Sequence, residues 1–455
     1  VLSMLLVLMI PTRKRFSRPS SLLQMPYSKY WLSTSSIMLF SSVLLGSFAY
    51  GESDNSDAMR GIFYAGHSLG ILALIIVIPI CLSLWRLLNI APPKFLRKPS
   101  LSELAEAHKI LIESNHTQGH LALLGDKYLL WSNERNAFIM FEVSHKFWIA
   151  VSDPIGDPAA YKSLLRQFQE QAHHHGAKPV FYRVNTDMLP YYLDMGLSLY
   201  KLGEEARINL PNFTLQGKAL DAQRNRRNKF TKMGYQFEVL TGQAVASALP
   251  CLKNISDAWM ESKNVSEKGF SLGYFDEAYL CSTNVAVVRD DAGVIRAFAN
   301  LWQTANREEL AIDLMRYDPD AQKGMMDFLF AELMLWGKTE NYLWFSMGLA
   351  PLAGLEQFPL APLWHKIGAT LFDNGDKFYN FRGLHEYKAK YSPHWESRYL
   401  AAPGGMALPF VLISITCLIS GGWQGLFTKF PSLKKSILAN LRMRAALIRQ
   451  NAIGS

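Results

Sequence analysis

Two long apolar runs near the start of the chain set it apart from everything that follows. Residues 30–51 and 61–85 contain no charged side chain, and each exceeds the roughly 20 residues that a helix needs to cross a bilayer. The connector between them is acidic, whereas both outer flanks are rich in Arg and Lys. Basic flanks stay in the cytoplasm. The pattern predicts a membrane region over 1–98, with spans near 30–50 and 61–85, and a cytoplasmic location for the remainder.

From residue 99 onward, helical and strand-like spacings of apolar positions alternate. Helices are predicted from Ser100 (capped by Ser100 or Ser102), over 158–175 and over 186–194. Strands are predicted at 137–143, 146–151, 179–184, 197–202 and 206–210. This order indicates a first domain of the α/β (α+β) class over 99–215.

A second unit, 235–425, has a similar order of elements. Strands are predicted at 235–240, 284–289, 294–303, 311–317, 342–347 and 377–381, with helices at 246–263, from Met325 and near 361–371. Two units of like order suggest a tandem duplication. A basic linker helix, 216–234, separates them, and a basic amphipathic tail, 426–455, follows them. The uncharged stretch 404–428 is interpreted as an interfacial or core helix, because Pro409 and its glycines interrupt it.

One predicted strand of the second unit carries two charges in an otherwise apolar run. Asp313 and Arg316 lie among Ala311, Ile312, Leu314 and Met315, and a Pro-Asp turn and a helix follow. Charges inside a core-like strand must be paired, hydrated or functional. A plain salt bridge under a sheet is at least as good an interpretation from spacing alone. Strict alternation also places the two side chains on opposite faces, so they share a site only if the strand bulges.

Composition and charge narrow the function classes. The chain has 455 residues and a net charge of +9, which suits nucleic acid or anionic lipid as well as simple solubility. Its four cysteines are scattered without a CxxC pair, which argues against a disulfide framework and a zinc site. The chain starts at Val1 rather than at methionine, as a piece of a longer protein would.

No strong catalytic motif is present in the sequence. Walker, HExxH, GxSxG and GxGxxG patterns are absent, which disfavours ATP hydrolysis, zinc peptidase and serine esterase chemistry. The tract 173–175 is three consecutive histidines, which point in different directions on a helix, so no metal site is predicted. The linker helix is interpreted either as a solvated surface or as a phosphate-binding stripe.

Several segments, taken together and in order, resemble the lysyl- and alanyl-phosphatidylglycerol synthases, the multiple peptide resistance factor family. They are DLMRY (313–317), PDAQKGMMDFLF (319–330), EKGFSLG (267–273), GLAPLAGL (348–355), LHEYKAKYSPHWESRYL (384–400) and the junction 203–229. The resemblance covers about 99–425. It implies tandem GNAT-like acyltransferase domains behind transmembrane helices, of which this chain holds only a truncated set.

The resemblance implies an aminoacyltransferase that moves lysine or alanine from aminoacyl-tRNA to the glycerol hydroxyl of phosphatidylglycerol. Such a reaction alters membrane charge and resistance to cationic antimicrobial peptides. Aminoacyl-tRNA is then a co-substrate and no cofactor is expected. The segment 320–326 has one glycine where acyl-CoA-dependent GNAT enzymes carry a glycine-rich loop, which disfavours an acyl-CoA donor. The implied location is a bacterial cytoplasmic membrane, and a homo-oligomer is left open.

Roles for individual residues follow from the needs of ester transfer, which are proton removal, carbonyl polarisation and positioning. Asp313 is the candidate for holding the α-ammonium of the donor or acting as base. Arg316 and Lys388 are candidates for the lipid phosphate or the developing oxyanion. Substrate contacts are expected from Glu267, Lys268, Tyr274, Gly348, Arg382, Arg224 and Arg227.

Two rival functions remain open at this point. One is a transport or scaffold protein whose cytosolic part only binds anionic lipid or RNA. The other is an aminoacyl-tRNA-dependent transferase with a peptide acceptor. The sequence does not distinguish lysine from alanine as the donor.

Overall fold

One mixed sheet of twelve strands is the frame of the protein, in a computed structural model that describes residues 96–355, 364 and 381–422. The strands are β1 (Tyr128–Trp131), β2 (Ala137–Ser144), β3 (Phe147–Val151), β4 (Ile155–Gly156), β5 (Lys178–Val184), β6 (Ser198–Asn209), β7 (Gln236–Leu240), β8 (Asn284–Arg289), β9 (Ile295–Gln303), β10 (Glu309–Tyr317), β11 (Trp344–Pro351) and β12 (His394–Ala402). The α/β (α+β) class predicted from the sequence is confirmed at this level.

Helices cover both faces of the sheet. They are α1 (Leu101–Glu113), α2 (Tyr161–His174), α3 (Leu189–Asp194), α4 (Asp221–Lys232), α5 (Gln243–Lys263), α6 (Glu277–Cys281), α7 (Met325–Thr339), α8 (Phe381–Ala389) and α9 (Leu408–Ile419). Leu310 and Ile312 face a core built with α4 and α7, whereas Ala311 between them joins a core with α1 and α9. Such alternation is expected of a strand with both faces covered.

The two halves of the chain repeat one strand pattern. The strand order is β1-β2-β3-β5-β12-β6-β11-β10-β9-β8-β7, with β4 paired to β2. In the first half, β5 returns through α2 and runs parallel to β3. In the second half, β11 returns through α7 and runs parallel to β10. The repeat of antiparallel strands, a crossover helix and a parallel strand agrees with the tandem duplication suggested by the sequence.

The last strands of the two halves are exchanged. β12, from the end of the second half, lies between β5 and β6 of the first half and pairs antiparallel with both. β6, in turn, pairs with β11 of the second half. The two predicted domains therefore share one continuous sheet.

The junction helix packs tightly on the second half. Phe230 of α4 is fully buried and stacks on Phe328 of α7, with ring centroids 5.0 Å apart. Arg226 and Arg227 pair with Asp327 and Glu332 on α7. A helix predicted as a basic linker is thus fixed to the core along one side.

Local predictions differ from the structure at strands β1, β4, β6 and β12. Residues 197–202 and 206–210, predicted as separate strands, form the single strand β6. β1, β4 and β12 were not predicted: β1 and β4 are short, whereas charged residues obscure the strand spacing of β12. Ser100, as predicted, caps α1, and Glu103 completes a capping box.

The predicted spans near 30–50 and 61–85 lie outside the described residues, as do the predicted helix near 361–371, residues 377–380 and the tail 426–455. Phe381 begins α8. Within the described residues, no helix has the length and apolarity needed to cross a membrane. Residues 408–419, predicted as part of an interfacial or core helix, form α9.

Replacing Phe230 by Ala is expected to destabilise the protein by about 3–5 kcal/mol, because it removes a buried ring from the contact between α4 and α7. Denaturant unfolding of the full chain in detergent measures this. The control is Thr231→Ala, one position along on the exposed side of α4, which we expect to change the free energy of unfolding by less than about 1 kcal/mol. Equal stability of the Phe230 variant and the wild type would contradict the packing described above.

Candidate active site

An opening separates the ends of β10 and β11 in the second half. The parallel pairing joins Glu309 to Trp344, Leu310 to Phe345 and Ala311 to Ser346, and then stops. Both strands continue, to Tyr317 and Pro351 respectively. The backbone groups beyond the last pair are therefore free of the ladder and line a gap in the sheet.

A β-bulge places Asp313 and Arg316 on one face of the sheet. β10 pairs with β9 in one register up to Ile312 and in a shifted register from Met315. Ile312 and Met315 both pack on the core with α7, whereas Leu314 packs on the opposite side, toward α5. The Leu314 N–H is satisfied by the Asn300 side chain at 2.8 Å. The bulge required for the two charged residues to share a face is present.

The carboxylate of Asp313 is held by two neutral donors. The Gly273 N–H donates to Oδ1 at 2.8 Å, and the Tyr279 hydroxyl donates to Oδ2 at 2.9 Å. Burial raises the pKa of Asp313, while these two hydrogen bonds and the charges of Lys127 and Arg183 oppose the rise. Asp313 is therefore a half-buried carboxylate without an ion-pair partner at contact distance among the described residues, and it can receive a cationic group.

Arg316 is held by a loop that crosses this face, which we call the strap (residues 265–276). Its Nη2 lies 3.1 Å from Oε2 of Glu267, and its guanidinium lies 4.3 Å from the centre of the Trp259 ring. Burial lowers the pKa of Arg316, and the charges of Glu267 and Asp313 counteract that. Its buried Nε has no hydrogen-bond partner among the described residues. One donor of Arg316 is thus available to an anionic ligand.

Lys388 reaches the opening from α8. Its Nζ donates to the carbonyls of Gly348 and Leu349 at 2.9 and 2.8 Å, just beyond the point where β11 leaves β10. Gly348 has a φ of +80°, a conformation that glycine adopts without strain. Burial lowers the pKa of Lys388 to about 7, and the positive charge of Arg183 contributes. Lys388 can therefore exchange a proton near neutral pH.

A chain of alternating charges crosses the seam between the halves on the same face. Its members, in order of contact, are Arg183, Glu205, Arg398, Glu396, Arg207 and Glu309. The distance between nitrogen and oxygen is 3.0 Å for Arg183 and Glu205, and 2.7 Å for Glu205 and Arg398. It is 3.0 Å both for Arg398 and Glu396 and for Arg207 and Glu309. Burial raises the pKa of Glu205, but Arg183 and Arg398 reverse this and hold it well below its usual value. Five of the six residues line a polar cavity of about 610 Å³. Its size suits a small-molecule moiety.

Arg183 connects this chain to the opening. Its backbone has a φ of +66°, a strained value for a residue with a side chain. The guanidinium donates to Glu205 and, in the orientation that the hydrogen bonds of Gln118 require, to the side-chain oxygen of Gln118. Its charge also acts on Asp313 and Lys388. A residue of the first half thus contributes to the electrostatics of a site in the second.

The structure brings only some of the predicted substrate contacts to the opening. Glu267, Gly348 and the half-buried strap residues Lys268 and Tyr274 lie on elements that border it. Burial raises the pKa of Tyr274 to about 12, with Asp126 and Asp276 adding to the effect. Arg382, by contrast, is exposed and pairs with Glu386 on its own helix.

Arg224 and Arg227, predicted as substrate contacts, both have partners within the protein. Arg224 donates to the carbonyls of Leu215 and Gly217, and Arg227 pairs with Glu332. Both guanidinium groups therefore hold the linker helix in place.

Sequence reasoning missed Arg183, Glu205, Lys127 and Tyr279. Lys127 is fully buried and its charge acts on Asp313, and Tyr279 links Asp313 to the Trp302 indole N–H at 2.7 Å. The signal that was available is the charged pair Glu204-Glu205 inside a strand-like run. Within the described residues, no group of His, Cys, Asp and Glu side chains could hold a metal ion.

The profile of the family described as phosphatidylglycerol lysyltransferase, C-terminal, matches residues 109–402. This range contains the opening, the strap and the whole charged chain. The protein belongs to this family. Membership confirms the resemblance drawn from the segments around Asp313, Gly273 and Lys388.

Individual members of the phosphatidylglycerol lysyltransferase family are similar over most of the described chain. A phosphatidylglycerol lysyltransferase of Bacillus subtilis is 32% identical over 432 residues, which cover 92% of this chain and 49% of the relative. The chain thus spans about half the length of that relative. Two solved structures match this chain over 98% of their own length. The L-PGS structure from Bacillus licheniformis has 35% identity, a TM-score of 0.63 and 71% coverage of this chain. A C-terminal domain from Agrobacterium fabrum, assigned to a lysylphosphatidylglycerol synthetase, has 39% identity, a TM-score of 0.64 and 70% coverage.

Replacing Lys388 by Met is expected to remove a pH-dependent contribution to stability. Between pH 7 and pH 10, Lys388 is largely neutral when folded and protonated when unfolded, so the unfolded state binds more protons and stability rises with pH. The free energy of unfolding of the wild type minus that of the variant should rise by up to ~4 kcal/mol across this window. Denaturant titrations at several pH values measure it. A difference independent of pH would show that the pKa of Lys388 is not lowered.

Proposed function

We propose that this chain is a membrane-associated aminoacyltransferase that moves lysine from lysyl-tRNA to the glycerol hydroxyl of phosphatidylglycerol. The observation that carries the proposal is the opening between β10 and β11, which Asp313 and Arg316 border on β10 and Lys388 borders through its hydrogen bonds to β11, in a chain of this family. The names of the relatives support lysine rather than alanine. We also propose that each half is a GNAT-like domain and that the described part lies in the cytoplasm.

Lys388 is the proposed proton carrier. As a neutral amine it takes the proton of the glycerol hydroxyl, and the hydroxyl oxygen bonds to the ester carbonyl carbon of the aminoacyl-tRNA. The bond from that carbon to the ribose oxygen then breaks, and the Lys388 ammonium returns the proton to the ribose oxygen. A pKa of about 7 suits both steps. The carbonyls of Gly348 and Leu349 fix the direction of the amine.

Asp313 and Arg316 are the proposed positioning pair. The half-buried carboxylate of Asp313 receives the α-ammonium of the donor, and the unpartnered Nε of Arg316 donates to the lipid phosphate. Because the bulge places both on one face, donor and acceptor groups can be held beside the same opening.

The exposed lysines of α4 and its approach, Lys218, Lys229 and Lys232, are proposed to contact the tRNA phosphates. They replace Arg224 and Arg227 in that role, since those two guanidinium groups have internal partners. Contacts of this kind weaken as salt rises.

Replacing Asp313 by Asn is expected to lower kcat/KM by about a hundredfold or more, because the charge that holds the α-ammonium is lost while the acceptor for the Gly273 N–H remains. The measurement follows radiolabelled lysine from lysyl-tRNA into lipid in membranes that contain the full chain, with alanyl-tRNA in parallel. Ribonuclease treatment of the tRNA is the control and should abolish the product. No aminoacylated lipid from either tRNA would overturn the proposed function, and unchanged turnover by the variant would remove Asp313 from the site.

The strap allows a matched pair of glycine substitutions. A Cβ added at Gly273 would lie 1.7 Å from Oδ2 of Asp313, whereas one added at Gly269 meets no atom within 4 Å. We expect Gly273→Ala to displace the carboxylate and lower turnover at least tenfold, and Gly269→Ala to leave turnover within about twofold of the wild type. The same lipid assay measures both. Equal rates for the two variants would show that the strap does not position Asp313.

A further inference from the structure

α9 presents an apolar face to the outside of the protein. Its inner side packs through Val411 and Ile415 on the core that it shares with α1. On the outer side, Met406, just before the helix, is 88% exposed, Phe410 62% and Ile413 45%. Thr416, also exposed, donates its hydroxyl to the Leu412 carbonyl within the helix. The Thr416 hydroxyl therefore has an acceptor within the helix and does not need water for that role.

The apolar face of α9 carries no charged residue, and positive charge is concentrated in the sequence that follows it. Residues 401–422 contain no Asp, Glu, Lys or Arg. Residues 423–455 contain six Lys or Arg residues and no acidic residue. An apolar face followed directly by a purely basic segment complements an anionic bilayer, whose surface attracts cations while its interior accepts Phe, Met and Ile.

A hydrogen bond connects α9 directly to the strap. The Gly269 N–H of the strap donates to the carbonyl of Ile419, the last residue of α9, at 3.1 Å. Leu272, three residues further along the strap, is a further exposed apolar side chain, 39% exposed. The next residue, Gly273, donates to Asp313. One short loop thus joins the exposed apolar surface to the proposed site.

We propose that Met406, Phe410 and Ile413 of this face, together with Leu272, form the surface with which the protein docks on an anionic phospholipid bilayer. The proposal rests on the proposed function, because a lipid acceptor must reach Asp313 and Arg316 from the bilayer. Docking brings the strap to the membrane surface, so a phosphatidylglycerol head group enters beside the residues that hold Asp313 and Arg316.

Spin-label accessibility tests the docking surface without requiring turnover. A nitroxide is attached at Phe410→Cys in the full chain, with Cys81, Cys251 and Cys281 replaced by Ser, and the protein is placed in phosphatidylglycerol nanodiscs. The matched control is Leu193→Cys on α3, which is 57% exposed but has no connection to the strap. We expect the label at 410 to collide more often with lipid-soluble oxygen than with a water-soluble nickel chelate, and the label at 193 to show the reverse.

The outcomes separate docking from catalysis. A label at 410 that behaves like the label at 193, or one shielded from both reagents by a second copy of the chain, would overturn the docking surface whatever the enzyme does. Where the lipid assay shows turnover, the double variant Phe410→Ser/Ile413→Ser should lose at least fivefold in rate on vesicles while keeping the wild-type rate on monomeric short-chain phosphatidylglycerol. Equal losses on the two substrates would also contradict docking.

Discussion

The buried carboxylate of Glu205 is the interaction on which the rest of the sheet depends. It accepts from Arg183 of the first half and from Arg398 and Ser346 of the second, and it is only 3% exposed. Buried ion pairs contribute little net stability, yet removing one partner is costly because the remaining charge is left uncompensated. The net contribution of Glu205 to stability is therefore small, and its main role is to set the register of the exchanged strands.

The two halves share one strand pattern, but they differ in how accessible the Asp side chain beyond the last parallel pair is. In the first half β3 pairs with β5 along its entire length, and Ser152 continues the ladder. Asp153, two residues past the last pair, accepts from the Tyr192 hydroxyl and the Asn185 N–H. Asp313 stands two residues past the last pair of the second half with the same two kinds of donor. Asp153 is 1% exposed, however, and only the second half opens a gap beside its carboxylate.

Much of the architecture could be predicted from residue spacing, because most helices and strands are long and periodic. β12 could not be, since its Glu396 and Arg398 face the seam and only their partners on β6, Arg207 and Glu205, make those charges tolerable in a central strand. The exchange of β6 and β12 is equally a property of the assembled sheet rather than of any local pattern.

The site was predictable in part. Asp313 and Arg316 stood out as charges within an apolar run, but spacing alone placed them on opposite faces, and the bulge opposite Asn300 reverses that. Arg224 and Arg227 were chosen for their charge, and the structure uses that charge internally. Arg183 gave no signal, because its left-handed backbone and its contact with Glu205 are features of the folded sheet.

The exchange of the final strands has a consequence for biosynthesis. Glu205 and Arg398 are separated by 193 residues along the chain. At translation rates of about 5–20 residues per second, the ribosome needs on the order of ten seconds or more to deliver the second partner after the first. Throughout that interval β5 and β6 have an empty place between them, and Glu205 lacks one of its two arginines. The nascent first half must therefore remain unaggregated with an unfilled strand position until β12 emerges, which makes this interval the point at which a chaperone that shields strand edges would matter most.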